Sequence, residues 1–252
     1  MLQTRVIPSL LLKGEGLVKT TRFKNPKYVG DPINAIRIFN DKEVDELVLL
    51  DITATNMSKG PAFDTITQIA SECFMPVAYG GGIRNVDQMR RILNAGVEKV
   101  ILNSVTFTDP DLVSRAAREF GSQAVIASMD VKRKLFGRYE VFSNSGSKST
   151  GKDPVAWAKR MEDCGAGEIL LTAIDRDGTM SGYDLDLISL VSQAVSVPVI
   201  ASGGARSVDD FRKAADSGAG AVSAGAMFVF HGPHRAVLIT YPKREDLESI
   251  SG

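Results

Sequence analysis

The stretch Gly80-Gly81-Gly82-Ile83-Arg84-Asn85-Val86-Asp87 returns, slightly altered, as Ser202-Gly203-Gly204-Ala205-Arg206-Ser207-Val208-Asp209, and this repeat decides the fold. At a constant offset of 122 residues the copies share Gly81/Gly203, Gly82/Gly204, Arg84/Arg206, Val86/Val208, Asp87/Asp209, Arg90/Arg212, Gly96/Gly218 and Val100/Val222. Each has a short apolar run before its glycines and an amphipathic segment after them. A second apolar run then closes on Leu102-Asn103-Ser104 in one copy and Ala224-Gly225-Ala226 in the other. That is strand, glycine turn, helix, strand. Glycines let backbone approach a ligand closely, and N–H groups at a following helix start favour an anion. Each copy therefore reads as a phosphate cradle or as a tight turn with nothing bound.

Outward from the repeat, eight apolar runs read as strands: Arg5–Leu12, Leu47–Ile52, Pro76–Tyr79, Lys99–Asn103, Ala124–Asp130, Ile169–Ile174, Pro198–Ser202 and Gly220–Gly225. Helical patterns separate them. Asp31-Pro32, Asp109-Pro110 and Asp153-Pro154 each pair an N-cap with a proline in the first helical position. Another helix runs from about Pro61 to Cys73, and a last one from about His234 to Ser249. The polar segment Lys13–Asp31, carrying Lys13, Lys19, Arg22, Lys24 and Lys27, has the length of a lid or binding loop. It suits a phosphorylated substrate or is a solvated surface. Arg138–Phe142, after Phe136-Gly137, looks like a small hairpin following the fifth strand, and Ser143–Lys152 like a loop.

Strands this apolar are buried on both faces of a parallel sheet. The prediction is one α/β domain spanning residues 1–252: a (β/α)8 TIM barrel of two half-barrel repeats with a small hairpin insertion. An open doubly wound sheet would need more polar edge strands.

Thirty basic and thirty acidic residues give zero net charge, so nothing points to nucleic acid or a membrane surface as partner. Cys73 and Cys164 form no CxxC, and only two histidines are present, close together. That is neither a disulfide framework nor a metal pattern, and no cofactor is implied. Without a leader pattern at Met1–Arg5 or a long apolar stretch, the expectation is a soluble, cytoplasmic chain.

Barrel chemistry lies at the carboxyl ends of the strands. Those ends read Leu11, Asp51, Tyr79, Asn103, Asp130, Thr172, Ser202 and Gly225. Val6–Lys13 aligns with Val125–Lys132, so Leu11 stands where the second half has Asp130. An acid and a base acting from opposite sides need both positions ionisable, and only one is. Asp130 reads as a lone acid or base, or as a structural aspartate. Arg5, Glu46, Lys99 and Glu168 start four strands at the opposite mouth, as a salt-bridged plug or a gate.

These residues resemble the cyclase (synthase) subunit family of imidazole glycerol phosphate synthase, the ammonia-using half of a glutamine amidotransferase. The likeness runs from Arg5 to about Phe230. It is carried by Asp51-Ile52-Thr53-Ala54, Gly80-Gly81-Gly82-Ile83, Phe120–Val125, Gly165–Thr172, Ile174–Thr179, Ser181–Asp184 and Ile200–Gly204. The resemblance implies a (β/α)8 barrel binding a substrate with two phosphates. One would be held by Gly82, Asn103 and Ser104, the other by Asp177, Gly178, Gly203, Ala224 and Gly225. Gly81, Gly204, Asp51, Thr172 and Ser202 belong to the same expected site, and Lys19 matches the family's loop lysine. The charged four match a gate admitting ammonia from a glutaminase subunit at the N-terminal face, which favours the gate over the plug.

The family's two catalytic aspartates fall on Leu11 and Asp130, and only Asp130 matches. Leu10–Gly14, Phe23–Tyr28, Tyr79 and Phe230–Ile239 look closer to a side branch from surface-polysaccharide (lipopolysaccharide) pathways. Those paralogues act with a glutaminase and an amidotransferase-like third protein to make acetamidino sugars. The resemblance thus implies an ammonia-channelling synthase of that branch, acting on a phosphorylated small molecule or nucleotide-sugar. The alternatives are a histidine-biosynthesis cyclase with one aspartate, and a non-catalytic docking subunit that activates a glutaminase.

Overall fold

A computed structural model describes residues 4–54, 60–248 and 250. In chain order its strands are β1 (Arg5–Lys13), β2 (Gly16–Thr21), β3 (Lys24–Gly30), β4 (Leu47–Asp51), β5 (Val77–Gly80), β6 (Lys99–Leu102) and β7 (Val125–Arg133). There follow β8 (Tyr139–Ser143), β9 (Lys148–Lys152), β10 (Glu168–Ala173), β11 (Val199–Ser202), β12 (Ala221–Ala224), β13 (Phe230–His231) and β14 (Ala236–Val237). The helices are α1 (Pro32–Asp41), α2 (Phe63–Glu72), α3 (Val86–Asn94), α4 (Asp111–Phe120), α5 (Pro154–Asp163), α6 (Leu185–Ser192), α7 (Val208–Asp216), α8 (Ala226–Val229) and α9 (Arg244–Glu248).

Eight parallel strands pair in the order β10-β11-β12-β1-β4-β5-β6-β7, and β7 closes the circle on β10. This is the expected (β/α)8 barrel. Alternation sorts each strand's side chains between two cores. One residue per strand fills the lumen: Ile7, Val48, Ala78, Ile101, Ile126, Leu170, Ile200 and Ala221, capped by Leu50. Outward-facing neighbours such as Val6, Leu49, Val100 and Met129 pack against the helical ring. Asp31 and Asp153 cap α1 and α5 through their side chains, with proline next, as expected. Among the described residues no helix is long and apolar enough to cross a membrane.

Several expectations are corrected. The Lys13–Asp31 segment is mostly not a loop: β2 pairs antiparallel with β1, and β3 with β2. Its outer strand is exposed and contains Pro26, so it lacks the apolar alternation that marks a strand. Ser143–Lys152 likewise contains β9, an exposed strand on the edge of β8. Asp109 does not cap α4; its carboxylate pairs with Arg115 at 2.6 Å. The last helix is only α9, because turns at Gly232 and Arg235 (φ 70° and 50°) first fold β14 back onto β13. Ser249 lies outside the described residues. Tyr79 is fully buried in the outer core, since Ala78 and Gly80 take the inward positions.

Candidate active site at the carboxyl ends of the strands

A cavity of about 650 Å³ opens at the carboxyl ends of the barrel strands. Lys19, Asp51, Gly81, Gly82, Asn103, Ser104, Asp130, Thr172, Asp177, Gly178, Ser202, Gly203, Gly204, Ala224 and Gly225 all line it. The structure thus brings the sequence-predicted mouth residues together, except Tyr79, which is buried in the outer core. Strand parity explains much of this: Asn103, Asp130, Thr172 and Ser202 follow Ile101, Ile126, Leu170 and Ile200 on the inward face. Sequence reading missed Ser9, Thr20 and Ser128. Ser128 precedes Asp130 by two residues on the same face, and that spacing is the signal that would have found it.

Asp130 is 7% exposed and accepts a hydrogen bond from Asn103 Nδ2 at 2.9 Å. The same amide reaches Ser128 Oγ at 3.3 Å, while Asn103 Oδ1 is buried without a partner. Burial pushes the Asp130 carboxyl up to about 7; the Asn103 donor opposes the rise, Asp177 adds to it and Lys132 opposes it. A group titrating there can give or take a proton near neutral pH.

The other carboxylates lining the mouth among the described residues each have partners as well. Asp51 Oδ1 closes its own turn, accepting from Thr53 N, Thr53 Oγ1 and Ala54 N at 2.8–3.1 Å. Asp109 holds Arg115. Asp177 is buried against Lys19 Nζ at 2.7 Å and Thr20 Oγ1 at 3.2 Å. Lys19 is therefore a buried strand residue rather than a loop lysine. The Asp177 amide is spent on the carbonyls of Ala173 and Ile174. Leu11, 8% exposed, also lines the cavity.

The helix starts directly after the glycine turns prove to be occupied. Asn85 caps α3 while Gln88 Oε1 takes Arg84 N at 2.7 Å; Asp210 Oδ2 takes Arg206 N and Ser207 N at the start of α7. The short helical turns one strand later, Ser104–Phe107 and α8, begin without a side-chain cap, and their first residues line the cavity. These two turns keep the 122-residue offset. Gly204 cannot be exchanged freely: at φ 113° an added Cβ would lie 2.2 Å from the Gly182 carbonyl oxygen.

At the opposite mouth Arg5, Glu46, Lys99 and Glu168 alternate in a closed ring. Arg5 reaches Glu46 at 2.5 Å and Glu168 at 2.6 Å; Lys99 reaches Glu46 at 3.0 Å and Glu168 at 3.4 Å. The eight-residue apolar belt separates this ring from the polar cavity.

Fold and site define a (β/α)8 barrel whose polar mouth holds a carboxyl raised to about 7 and two uncapped helical turns, with a charged ring at its foot. A family model described as "Histidine biosynthesis protein" matches residues 5–234. A Pseudomonas aeruginosa protein carrying the provisional name imidazole glycerol phosphate synthase subunit hisF2 is 50% identical, over 98% of this chain and 99% of its own length. A Vibrio vulnificus protein provisionally named hisF3 of the same synthase is 48% identical, over 96% and 94%. The imidazole glycerol phosphate synthase subunit HisF of Alkaliphilus metalliredigens is 46% identical, over 92% of each. The chain belongs to the histidine biosynthesis protein family, among its lyase-type synthase subunits of the HisF kind.

Proposed function

We propose that the chain is the ammonia-dependent synthase subunit of a glutamine amidotransferase complex in the acetamidino-sugar branch of surface-polysaccharide biosynthesis. A glutaminase subunit docks at the N-terminal mouth, and ammonia passes the Arg5–Glu46–Lys99–Glu168 gate. The apolar belt above it suits a small neutral molecule and disfavours ions. At the cytoplasmic protein's upper mouth, a phosphorylated small molecule or nucleotide-sugar sits with its anionic groups on the backbone around Gly82 and Ser104 and around Gly204 and Gly225. Lys19, its charge balanced by Asp177, offers its remaining ammonium N–H donors at the rim, and Asp130 exchanges the proton. The product goes to an amidotransferase-like third protein. The matched offset of the Ser104–Phe107 turn and α8 favours an origin of this single domain from two half-barrels.

The single observation that carries the reading is that an apolar side chain, Leu11, lines the same cavity as the buried carboxyl of Asp130, at the position that aligns with it. A cyclase needing two ionisable groups is short of one. Expression in a histidine auxotroph lacking its cyclase tests this: absent or slow growth is expected, and growth at normal rate overturns the branch assignment in favour of histidine biosynthesis. In a system reconstituted with the glutaminase, Asp130→Asn should slow product formation about a hundred- to ten-thousand-fold. An unchanged rate makes the chain a docking subunit that only activates its glutaminase.

A further inference from the structure

Beside the mouth lies a second cleft of about 630 Å³ that the site described above does not use. Arg22 and Lys24 at the β2–β3 turn, Lys132 at the end of β7 and Arg235 at the β13–β14 turn line it, with Asp175 as its one acid. Asp175 Oδ2 is engaged by the Arg133 backbone N–H at 2.8 Å. Among the described residues none of the four cations has a carboxylate within ion-pair distance. Instead carbonyl oxygens hold three of them in place: Asp175 O on Arg22 Nε (3.2 Å), Thr179 O on Arg235 Nη2 (3.2 Å) and Gly146 O on Lys132 Nζ (2.5 Å). A carbonyl orients a cation without neutralising it, so four like charges share one concavity and favour an anion in it. Arg22 and Arg235 also sit in left-handed backbone (φ 52° and 50°), which glycine or asparagine holds at less cost. The turn geometry therefore does not account for arginine at either place.

We propose that this cleft binds a diphosphate group, as carried by a ligand of the nucleoside-diphosphate class. The volume suits a nucleotide-sized molecule rather than a single phosphate, and arginines from two separate turns can each take a phosphate through paired N–H donors. Calorimetric titration of the full chain with inorganic pyrophosphate and with uridine diphosphate tests it at low salt. Arg22→Gln with Arg235→Gln should weaken both probes at least tenfold, with the thermal midpoint unchanged, while in Ser104→Glu, which adds a carboxylate at the mouth and removes any binding there, the binding that depends on the two arginines should keep its affinity. Unchanged affinity in the arginine variant, or loss only in Ser104→Glu, overturns the proposal. Should the double variant fold poorly, Lys132→Gln replaces it, with weakening expected and equal affinity overturning. No readout involves ammonia transfer, so this cleft stands or falls separately from the function proposed for the mouth.

Discussion

Asn103 and Asp130, at the ends of the adjacent strands β6 and β7, are joined by a 2.9 Å hydrogen bond from the amide nitrogen to the carboxylate. Burial raises that carboxyl to about 7 and the amide donor restrains the rise. The proton is thus held more tightly in the folded chain than in the unfolded one. Between about pH 4 and about pH 7 the folded state binds more protons, so this group's contribution to stability is full in acid and lost as pH rises. Asp130→Asn should therefore stabilise the protein at about pH 8, by on the order of 2–4 kcal/mol, and leave it little changed near pH 4. Urea unfolding at the two pH values measures the difference, and an equal effect at both contradicts the raised carboxyl.

Glu46 is the most enclosed member of the lower ring, with a side chain 3% exposed and bonds to both cations. Glu46→Gln leaves Arg5 and Lys99 facing Glu168 alone. Breaking a well-buried ion pair costs about 3–5 kcal/mol; Arg5 is 29% exposed, so roughly half of that is expected here. Adding Lys99→Met should recover part of the loss, because one uncompensated cation goes with it. Additive losses in that double-mutant cycle would show that the ring's members do not act together.

Gly178 and Gly151 share a left-handed backbone, φ 70° and 69°, in different surroundings. At Gly178 an added Cβ would lie 2.1 Å from the Thr20 carbonyl oxygen; at Gly151 it meets nothing within 4 Å. Gly151→Ala should cost only the backbone term, about 1–2 kcal/mol. Gly178→Ala must also push β2 away from the Asp177 loop, loosening the Lys19–Asp177 pair, and should cost more. Thermal unfolding of both variants compares them, and similar losses would mean the hairpin yields freely.

How far the sequence could be read depended on burial. The eight lumen strands carry apolar runs because both faces are covered, and the run ends delivered Asn103, Asp130, Thr172 and Ser202 to the mouth. Lys24–Gly30 buries only Val29 and Lys148–Lys152 buries nothing, so neither writes an alternating pattern and β3 and β9 were invisible. Tyr79 went astray by one residue of parity, which in a strand reverses the face. Which helix starts stay uncapped depended on side chains the repeat did not mark: Asn85 and Asp210 satisfy the helix starts that the repeat itself suggested. The cations of the second cleft come from three separated segments, and nothing local in the sequence joins Arg22 to Arg235.

Leu11 gives the most direct test of the altered chemistry proposed for the mouth. It faces the cavity, in register with Leu50 on β4, and lies 8% exposed. Leu11→Asp places a carboxyl at the position that aligns with Asp130. Burying it beside Leu50 should cost about 1–3 kcal/mol of stability, read from urea unfolding. If the anion-suited backbone and the lower ring still serve the cyclisation chemistry, supplying the second acid or base should raise its rate by about a hundred- to ten-thousand-fold. Growth of a cyclase-deficient histidine auxotroph reads that gain against the unsubstituted chain. The expected outcome is measurable restored growth. A folded Leu11→Asp chain that still activates its glutaminase yet restores nothing would place the divergence elsewhere in the mouth, in the residues that recognise the substrate rather than in its proton handling.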